Sequence, residues 1–398
     1  MNIFRHRMKL FAVSGLLLGA SQLSFAACDQ TLNPGANLAA AVSSAPVGST
    51  ICLNSGSYGS VNLFDITGRT GYVTVQSTTG VGASISPQTG NSRYIRFQNL
   101  TITGGLQNSC SRNIQYVGNT VTGPLTLTNS GCPDLATLFD DNKFPNINVG
   151  GGYEGRLSLI YGTGITLQNN TFGPGGASDG IFMGGNVSNV KIGPGNIFTG
   201  ISQAACGSVH CDSIQGYGAG TGIVIQGNYF EKGDTFIMMP DGSSGVTVKN
   251  NVFNGNGVSY IDKIQFGSAS SPVFQHNTLH NTRASFDSKT GSPATSNALV
   301  ENNIMDVGSS FKTTGGSGCS GCTFRSDLFS SSANAIGTNN VIGLPTYVGG
   351  AKPTTWPGFK LTTTSLGHLA ASDGTDLGAT SFGSSPVPLP APTNLVAK

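Results

Sequence analysis

The sequence predicts an all-β chain wound into a single solenoid of stacked coils, closed at one end by a short helical cap. Three observations carry that expectation. An asparagine-centred phrase recurs as Asn142-Lys143-Phe144, Asn169-Asn170-Thr171-Phe172, Asn196-Ile197-Phe198, Asn228-Tyr229-Phe230, Asn250-Asn251-Val252-Phe253, Asn277-Thr278-Leu279, Asn302-Asn303-Ile304-Met305 and Asn339-Asn340-Val341-Ile342. From the last Asn of each, the steps are 28, 26, 32, 23, 26, 26 and 37 residues, the period of a repeat unit that cannot bury its apolar face alone. Each phrase follows a short β-type run such as Gly222-Ile223-Val224-Ile225-Gln226 or Gly245-Val246-Thr247-Val248-Lys249. Finally, the 58 glycines are interleaved with such runs, which suits tight turns between short strands better than disorder.

Strand, Asn turn, apolar residue and Gly corner make one coil of a parallel β-helix. Stacking places apolar residues inside and lets turn asparagines form a hydrogen-bonded ladder along the axis. Residues 27–383 form one domain, in which about 330 residues at about 25 per coil give about 12 or 13 coils. Ahead of them, Arg5, Arg7 and Lys9, the apolar stretch Leu10–Ala20 and Ser24-Phe25-Ala26 read as a secretory signal over residues 1–26. Cys28 close behind raises a lipid anchor, but Phe25 stands where such signals usually carry Leu. The expected location is therefore periplasmic or extracellular, with no membrane span. Asn37–Val42 is the predicted helical cap, hiding the open end of the stack. Gly48–Leu53, Tyr72–Gln76, Tyr94–Phe97 and Gly164–Leu167 are predicted strands, and Gly56-Ser57-Tyr58 a turn. Phe359-Lys360-Leu361 and Asp373–Ala379 are expected as the last strands and closing turn, before a Pro-rich tail over residues 384–398.

Without Arg5, Arg7 and Lys9, 17 of the 20 basic residues stand against 18 acidic ones, a balance of −1 that gives no footprint for nucleic acid. The eight cysteines all lie beyond the signal, and an even number in an exported chain reads as disulfides. Local clustering favours 28–52, 110–132, 206–211 and 319–322. Cys319-Ser320-Gly321-Cys322 is read as a loop staple, since no second such pair accompanies it.

The repeated Asn-Asn turns, the opening Gly48-Ser49-Thr50-Ile51-Cys52-Leu53 and the closing Asp376-Leu377-Gly378-Ala379 resemble the right-handed parallel β-helix, or pectate-lyase-like, superfamily. The resemblance covers roughly residues 28–383. It implies a carbohydrate partner, since members are mostly polysaccharide lyases, glycoside hydrolases and uronate epimerases, with adhesins beside them. The Gly-His-Gly and Arg-Ile-Lys elements of the polygalacturonase-like hydrolases are absent, as are the Asp-Pro-His and Trp-x-Asp-His of other branches. His210-Cys211-Asp212-Ser213-Ile214-Gln215 is similar to a His-x-Asp-x-Ile-Gln element of bacterial β-helix proteins that carries no established activity.

Aligned on the Asn turns, the opposite strands begin at Asp179, Asp212, Thr235 and Asp262. That register puts Asp179, Asp212 and Asp262 in one column and Gln215 and Gln265 in another, with His210 and Tyr260 two residues before their aspartates. For a lyase, the base that removes the proton α to a uronate carboxylate comes from His210, Lys263 or Tyr260, with His210 preferred. Asp212, Asp234 and Asp262 are candidates to hold a calcium ion or to act as acids, and Lys263 to neutralise the substrate carboxylate. Gln215, Gln265, Tyr260 and Asp179 are candidate sugar contacts. In a hydrolase two of the aspartates would divide acid and base roles instead. The competing readings are structural. Asp212 shares the alternation of core-facing Ile214 and can be a buried turn cap. Lys263 is expected to face outward into solvent, His210 can be a loop residue beside a disulfide, and His276 belongs to an Asn turn. The favoured function is an acidic-polysaccharide lyase acting as a monomer; the rival from another class is a non-catalytic glycan-binding or adhesive wall.

Overall fold

The structure, a computed structural model, describes residues 27–149, 155–207, 210–218, 220–256, 263–288, 291–314, 317–380 and 382. The coils run through three parallel faces. Face one is a 13-stranded sheet from Gln30–Leu32 to Thr323–Arg325. An Asn turn leads to face two, whose short strands include Lys143–Phe144, Thr171–Phe172, Ile197–Thr199 and Tyr229–Glu231. A loop then leads to face three, with Gly155–Ile160, Asp179–Gly184, Asp212–Tyr217, Thr235–Met239, Ile264–Phe266 and Arg283–Ser285 in order. Faces two and three join through the long strand Ala83–Gly90, which pairs with Thr101–Ile102 at its start and Gly105–Asn108 at its end. This is the expected all-β parallel solenoid of about 12 turns.

The Asn phrase divides into two jobs. The second residue of each turn forms a buried ladder: Asn142, Asn170, Asn196, Asn228, Asn251 and Asn277 each donate Nδ2–H to the Oδ1 of the next, at 2.9–3.1 Å. An amide is required because each rung both donates and accepts. The residue before each rung has a left-handed backbone, with φ of 56° at Asn169, 89° at Gly195, 64° at Gly227 and 51° at His276, which Gly and Asn tolerate best. His276 is thus a turn residue. The ladder also takes in Asn119, which the phrase does not contain, and runs on from Asn303 to Asp327 Oδ1 at 3.0 Å. Burial holds the Asp327 carboxyl well above the usual carboxylate range.

Beneath the ladder, Phe144, Phe172, Phe198, Phe230 and Phe253 stack face to face with centroid steps of 4.6, 4.9, 4.7 and 4.8 Å, one ring per coil. The cap helix is Leu38–Ser44, with Asn37 Oδ1 accepting the Ala40 N–H at 3.0 Å and Leu38 and Val42 turned inward. Disulfides join Cys28–Cys52, Cys110–Cys132, Cys206–Cys211 and Cys319–Cys322.

Two element expectations are corrected. Gly56-Ser57-Tyr58 opens the strand Gly56–Phe64 rather than forming a turn. Phe359–Leu361 and Asp373–Ala379 are not final strands: the chain leaves the stack after Val341–Ile342 and folds back along face two as an irregular arm. Trp356 stacks on Tyr229 at 5.9 Å, Asp373 Oδ2 meets His276 Nε2 at 3.1 Å, and the Ala379 N–H bonds Thr278 Oγ1 at 3.0 Å. The arm covers apolar surface that short face-two strands leave open. The signal-like segment and the Pro-rich tail lie outside the described residues, among which no helix is long and apolar enough to cross a membrane.

Candidate functional site

Asp179, Asp212, Asp234 and Lys263, singled out from the sequence, lie where face two hands over to face three, and loop length explains why there. Phe144 to Gly155, Thr199 to Asp212 and Asn254 to Ile264 are long connections, whereas Glu231 to Thr235 and His280 to Arg283 are short. The 200–211 connection accounts for the 32-residue step in the repeat and carries the short helix Gln203–Cys206 and the Cys206–Cys211 disulfide.

Asp179 and Asp212 begin adjacent face-three strands, in register through the Ile181–Ile214 pair. Asp179 is 2% and Asp212 0% exposed. The Asp212 N–H donates to Asp179 Oδ1 at 2.8 Å, while Asp179 Oδ2 and both carboxyl oxygens of Asp212 are buried without a hydrogen bond of normal geometry. Burial first, and then the neighbouring Asp212 charge, push Asp179 up to about 8, against the opposing pull of the Asp212 N–H and the Arg156 charge. Burial likewise raises Asp212 to about 6, moderated by the positive charge of His210 and by the Thr235 hydroxyl. Near neutral pH the pair therefore holds one proton, mostly on Asp179, and titrates as a unit. His210 is exposed on the 200–211 insertion and is the member of the group that reaches solvent.

Arg156, which the sequence reading passed over, is fully buried beside the pair. Its Nη1 donates to Phe144 O at 2.9 Å and its Nη2 to Gly175 O, so it ties down two corner carbonyls and offers Asp179 charge rather than contact. Burial lowers it to about 10, with Asp179 acting the other way.

Lys263 corrects the outward-facing expectation. It is 0% exposed, donates to Gly233 O at 3.0 Å and lies over the Phe236 ring at 5.5 Å. Burial lowers it to about 8, opposed by Asp234. Alternation failed here because Lys263 O accepts both the Phe236 N–H at 2.7 Å and the Ile237 N–H at 3.1 Å, a bulge that turns consecutive residues into the core. Asp212 keeps the register of Ile214, since Asp212 pairs with Thr235 and Ile214 with Ile237, and it is buried as that alternation implies. One step before the Ile264–Ala284 pair, half-buried Arg283 stands on the next coil from Lys263.

The column arithmetic holds in part. Asp212 pairs with Thr235, so the coil after it contributes a hydroxyl. Asp262 and Tyr260 lie outside the described residues. Gln215 and Gln265 share a column, but through Met238, and Gln215 is itself buried. Asp234 Oδ2 accepts the Gln203 N–H at 2.7 Å and the Ser202 hydroxyl at 3.1 Å, which makes it the cap of the inserted helix. With Asp234 engaged there and Asp212 beside a protonated Asp179, these two do not form a calcium cage, and among the described residues no three His, Cys, Asp or Glu side chains cluster to hold a metal.

The pair carries a pH signature. Asp179 rises from 3.8 unfolded to about 8 folded, so the folded state binds more protons between those values and loses stability as pH climbs through them. Asp179→Asn keeps an acceptor for the Asp212 N–H and removes the buried charge. Denaturant titrations of the variant are expected to show a flatter pH slope and about 2–5 kcal/mol more stability near pH 8. A variant that loses stability at that pH would mean the carboxylate is compensated in the native state.

No protein-family profile and no curated protein matches the chain. Among solved structures it is similar to the PL6 family alginate lyase AlyGC, with a TM-score of 0.59 and 13% identity over 88% of this chain and 57% of that one. It is also similar to pectate lyase Pel9A, with a TM-score of 0.46 and 14% identity over 90% of this chain and 95% of that one. The chain thus spans just over half the length of AlyGC. At such identity the likeness reaches the fold and stops there: the chain is a parallel β-helix.

Proposed function

We propose that the protein is an exported polysaccharide lyase that cleaves an acidic, uronate-containing polysaccharide by β-elimination. One observation carries this: a stable scaffold has buried two carboxyl groups with three oxygens unsatisfied, directly behind an exposed histidine on its largest insertion. Perturbed acids of this kind gather at catalytic sites, because stability alone selects against them. The fold supports the reading, since AlyGC is an alginate lyase, and the four disulfides support export.

In this reading His210 takes the proton α to the uronate carboxylate, the C4=C5 double bond forms as the C4–O bond breaks, and the His210 imidazolium returns that proton to the departing oxygen. Ionised Asp212 stabilises the imidazolium from behind, and Asp179 stays protonated so that only one negative charge is buried. Arg156 and the Cys206–Cys211 staple hold the corner in shape. Half-buried Arg283 supplies the positive side of the site, where the substrate carboxylate is neutralised, and fully buried Lys263 on the preceding coil adds charge without touching substrate. Asp212 is a positioning residue here, as it is fully buried.

A second reading, glycoside hydrolysis, is favoured by the same one-proton carboxyl pair. Incubation with polygalacturonate, polymannuronate and polyguluronate separates the two. The lyase gives ultraviolet absorbance from the unsaturated product, whereas new reducing ends without absorbance would assign hydrolysis. Neither signal, with binding retained, would assign a glycan-binding wall.

A further inference from the structure

A second concentration of charge lies away from the carboxyl pair, at the edge where face three turns into face one. Arg69, Arg93 and Arg112 line a cavity of about 460 Å³ together with Tyr94, Asn113 and Asp134. Arg93 and Arg112 are directly paired in register on neighbouring coils, so two like-charged residues leave backbones about 4.8 Å apart along the stack. Such a pairing is destabilising unless something negative sits between the charges. Among the described residues neither guanidinium has a carboxylate within ion-pair distance, unlike Lys232, Lys312 and Arg325. The single acid in the cavity, Asp134, has its Oδ1 occupied by the Ala136 N–H at 2.8 Å. Arg69 is 9% exposed, spends its Nη2 on Val42 O, and leaves its buried Nη1 without a partner. Arg96, two residues beyond Tyr94, shows the contrast: it bonds Gln115 Oε1 at 2.7 Å and lies over the Tyr72 ring at 5.1 Å.

The same edge continues into a second cavity of about 350 Å³, lined by the Cys132 loop, Thr163, Asn186 and Tyr161, whose ring is 42% exposed. Two cavities in line, one cationic and one hydroxyl-rich with an aromatic wall, fit an elongated polar anion better than a single small ion.

We propose that this edge is a binding site for a carboxylate-bearing oligosaccharide, with Arg69, Arg93 and Arg112 gripping its carboxylates and the Tyr161 cavity its uncharged hydroxyl face. It lies at the other end of the face-three strands from Asp179 and Asp212 and about three coils, or ~14 Å, toward the N-terminus. It therefore anchors a polymer whose distant part reaches the cleavage corner, and it rests on the proposed acidic-polysaccharide reading for the identity of the sugar. Guanidinium forks suit carboxylates because they donate two parallel hydrogen bonds.

The test is calorimetric titration of the full chain with a galacturonate hexasaccharide, a mannuronate hexasaccharide, neutral cellohexaose and sodium sulfate, repeated on Arg93→Ala/Arg112→Ala. The expected result is uronate binding that weakens with salt and falls at least tenfold in the double variant, partly restored by Arg112→Lys, with no binding of cellohexaose. Thermal unfolding of the variant should not be lowered, because a like-charge pair is removed; if it is lowered, Arg93→Gln alone serves as the binding probe. Uronate binding unchanged in the variants, equal binding of cellohexaose, or binding of sulfate only would each overturn the proposal. The lyase reading fails separately. A wild-type protein that cleaves no uronate polymer yet binds the hexasaccharide through these arginines keeps this site and loses that activity. Cleavage that depends on Asp212 but not on the arginines does the reverse.

Discussion

Asp212→Asn is expected to lower turnover of a uronate polymer by ~10²–10⁴ while leaving thermal stability unchanged or raised. The two halves belong together. Asp212 is fully buried, without a hydrogen bond of normal geometry at either carboxyl oxygen, and raised to about 6, so at neutral pH its ionised form costs the native state free energy. Asn removes that cost at nearly constant volume. If the carboxylate exists to hold His210 as an imidazolium during proton abstraction, its loss appears in the chemical step. The wild-type acid limb of kcat/KM should fall near pH 6, where Asp212 protonates, and that limb should move in the variant. A purely structural Asp212 would instead give a variant with an unshifted pH profile and altered stability.

Asn196→Ala is expected to be the most damaging single change to the scaffold, at about 3–5 kcal/mol against a total stability of about 5–15. Asn196 Oδ1 accepts the Asn170 N–H at 2.8 Å and the Asn170 Nδ2–H at 3.0 Å. Its Nδ2 donates to Leu167 O at 3.0 Å and Asn228 Oδ1 at 2.9 Å. Alanine deletes all four bonds and leaves the Asn170 N–H buried without an acceptor, the expensive side of a lost hydrogen bond. Asn169→Ala in the preceding turn is the comparison. Its side chain makes one bond, to Asp140 Oδ1 at 2.8 Å, and the change costs chiefly the left-handed backbone at φ 56°, about 1–2 kcal/mol. Equal losses for the two variants in urea titrations would contradict the ladder account.

The same division explains what could be read from the sequence. A turn that needs both a left-handed residue and an amide rung writes Gly-Asn or Asn-Asn into every coil, so the stack and its register were legible. That register correctly set Asp179 beside Asp212, and the long step before Asn228 correctly marked an insertion. Asn119 and Asp327 escaped because a rung needs only one amide or carboxyl oxygen, without the apolar phrase that made the others visible. Lys263 was misplaced because a bulge breaks the two-residue period, and nothing in a local pattern announces one. Arg156, Arg93 and Arg112 were passed over because their meaning lies in neighbours one coil away. The C-terminal arm was mistaken for strands because its apolar residues pack across coils that end far earlier in the chain.

In the proposed function, the corner built by Asp179, Asp212 and His210 performs β-elimination on a uronate polymer. The most direct measurement follows ultraviolet absorbance and reducing ends together, for the wild-type chain, His210→Ala and Asp212→Asn, on polygalacturonate, polymannuronate and polyguluronate. The account predicts that one polymer gives matched absorbance and reducing ends with the wild type and neither with the two variants. Absorbance that persists in His210→Ala and Asp212→Asn, or reducing ends formed without absorbance, would contradict it.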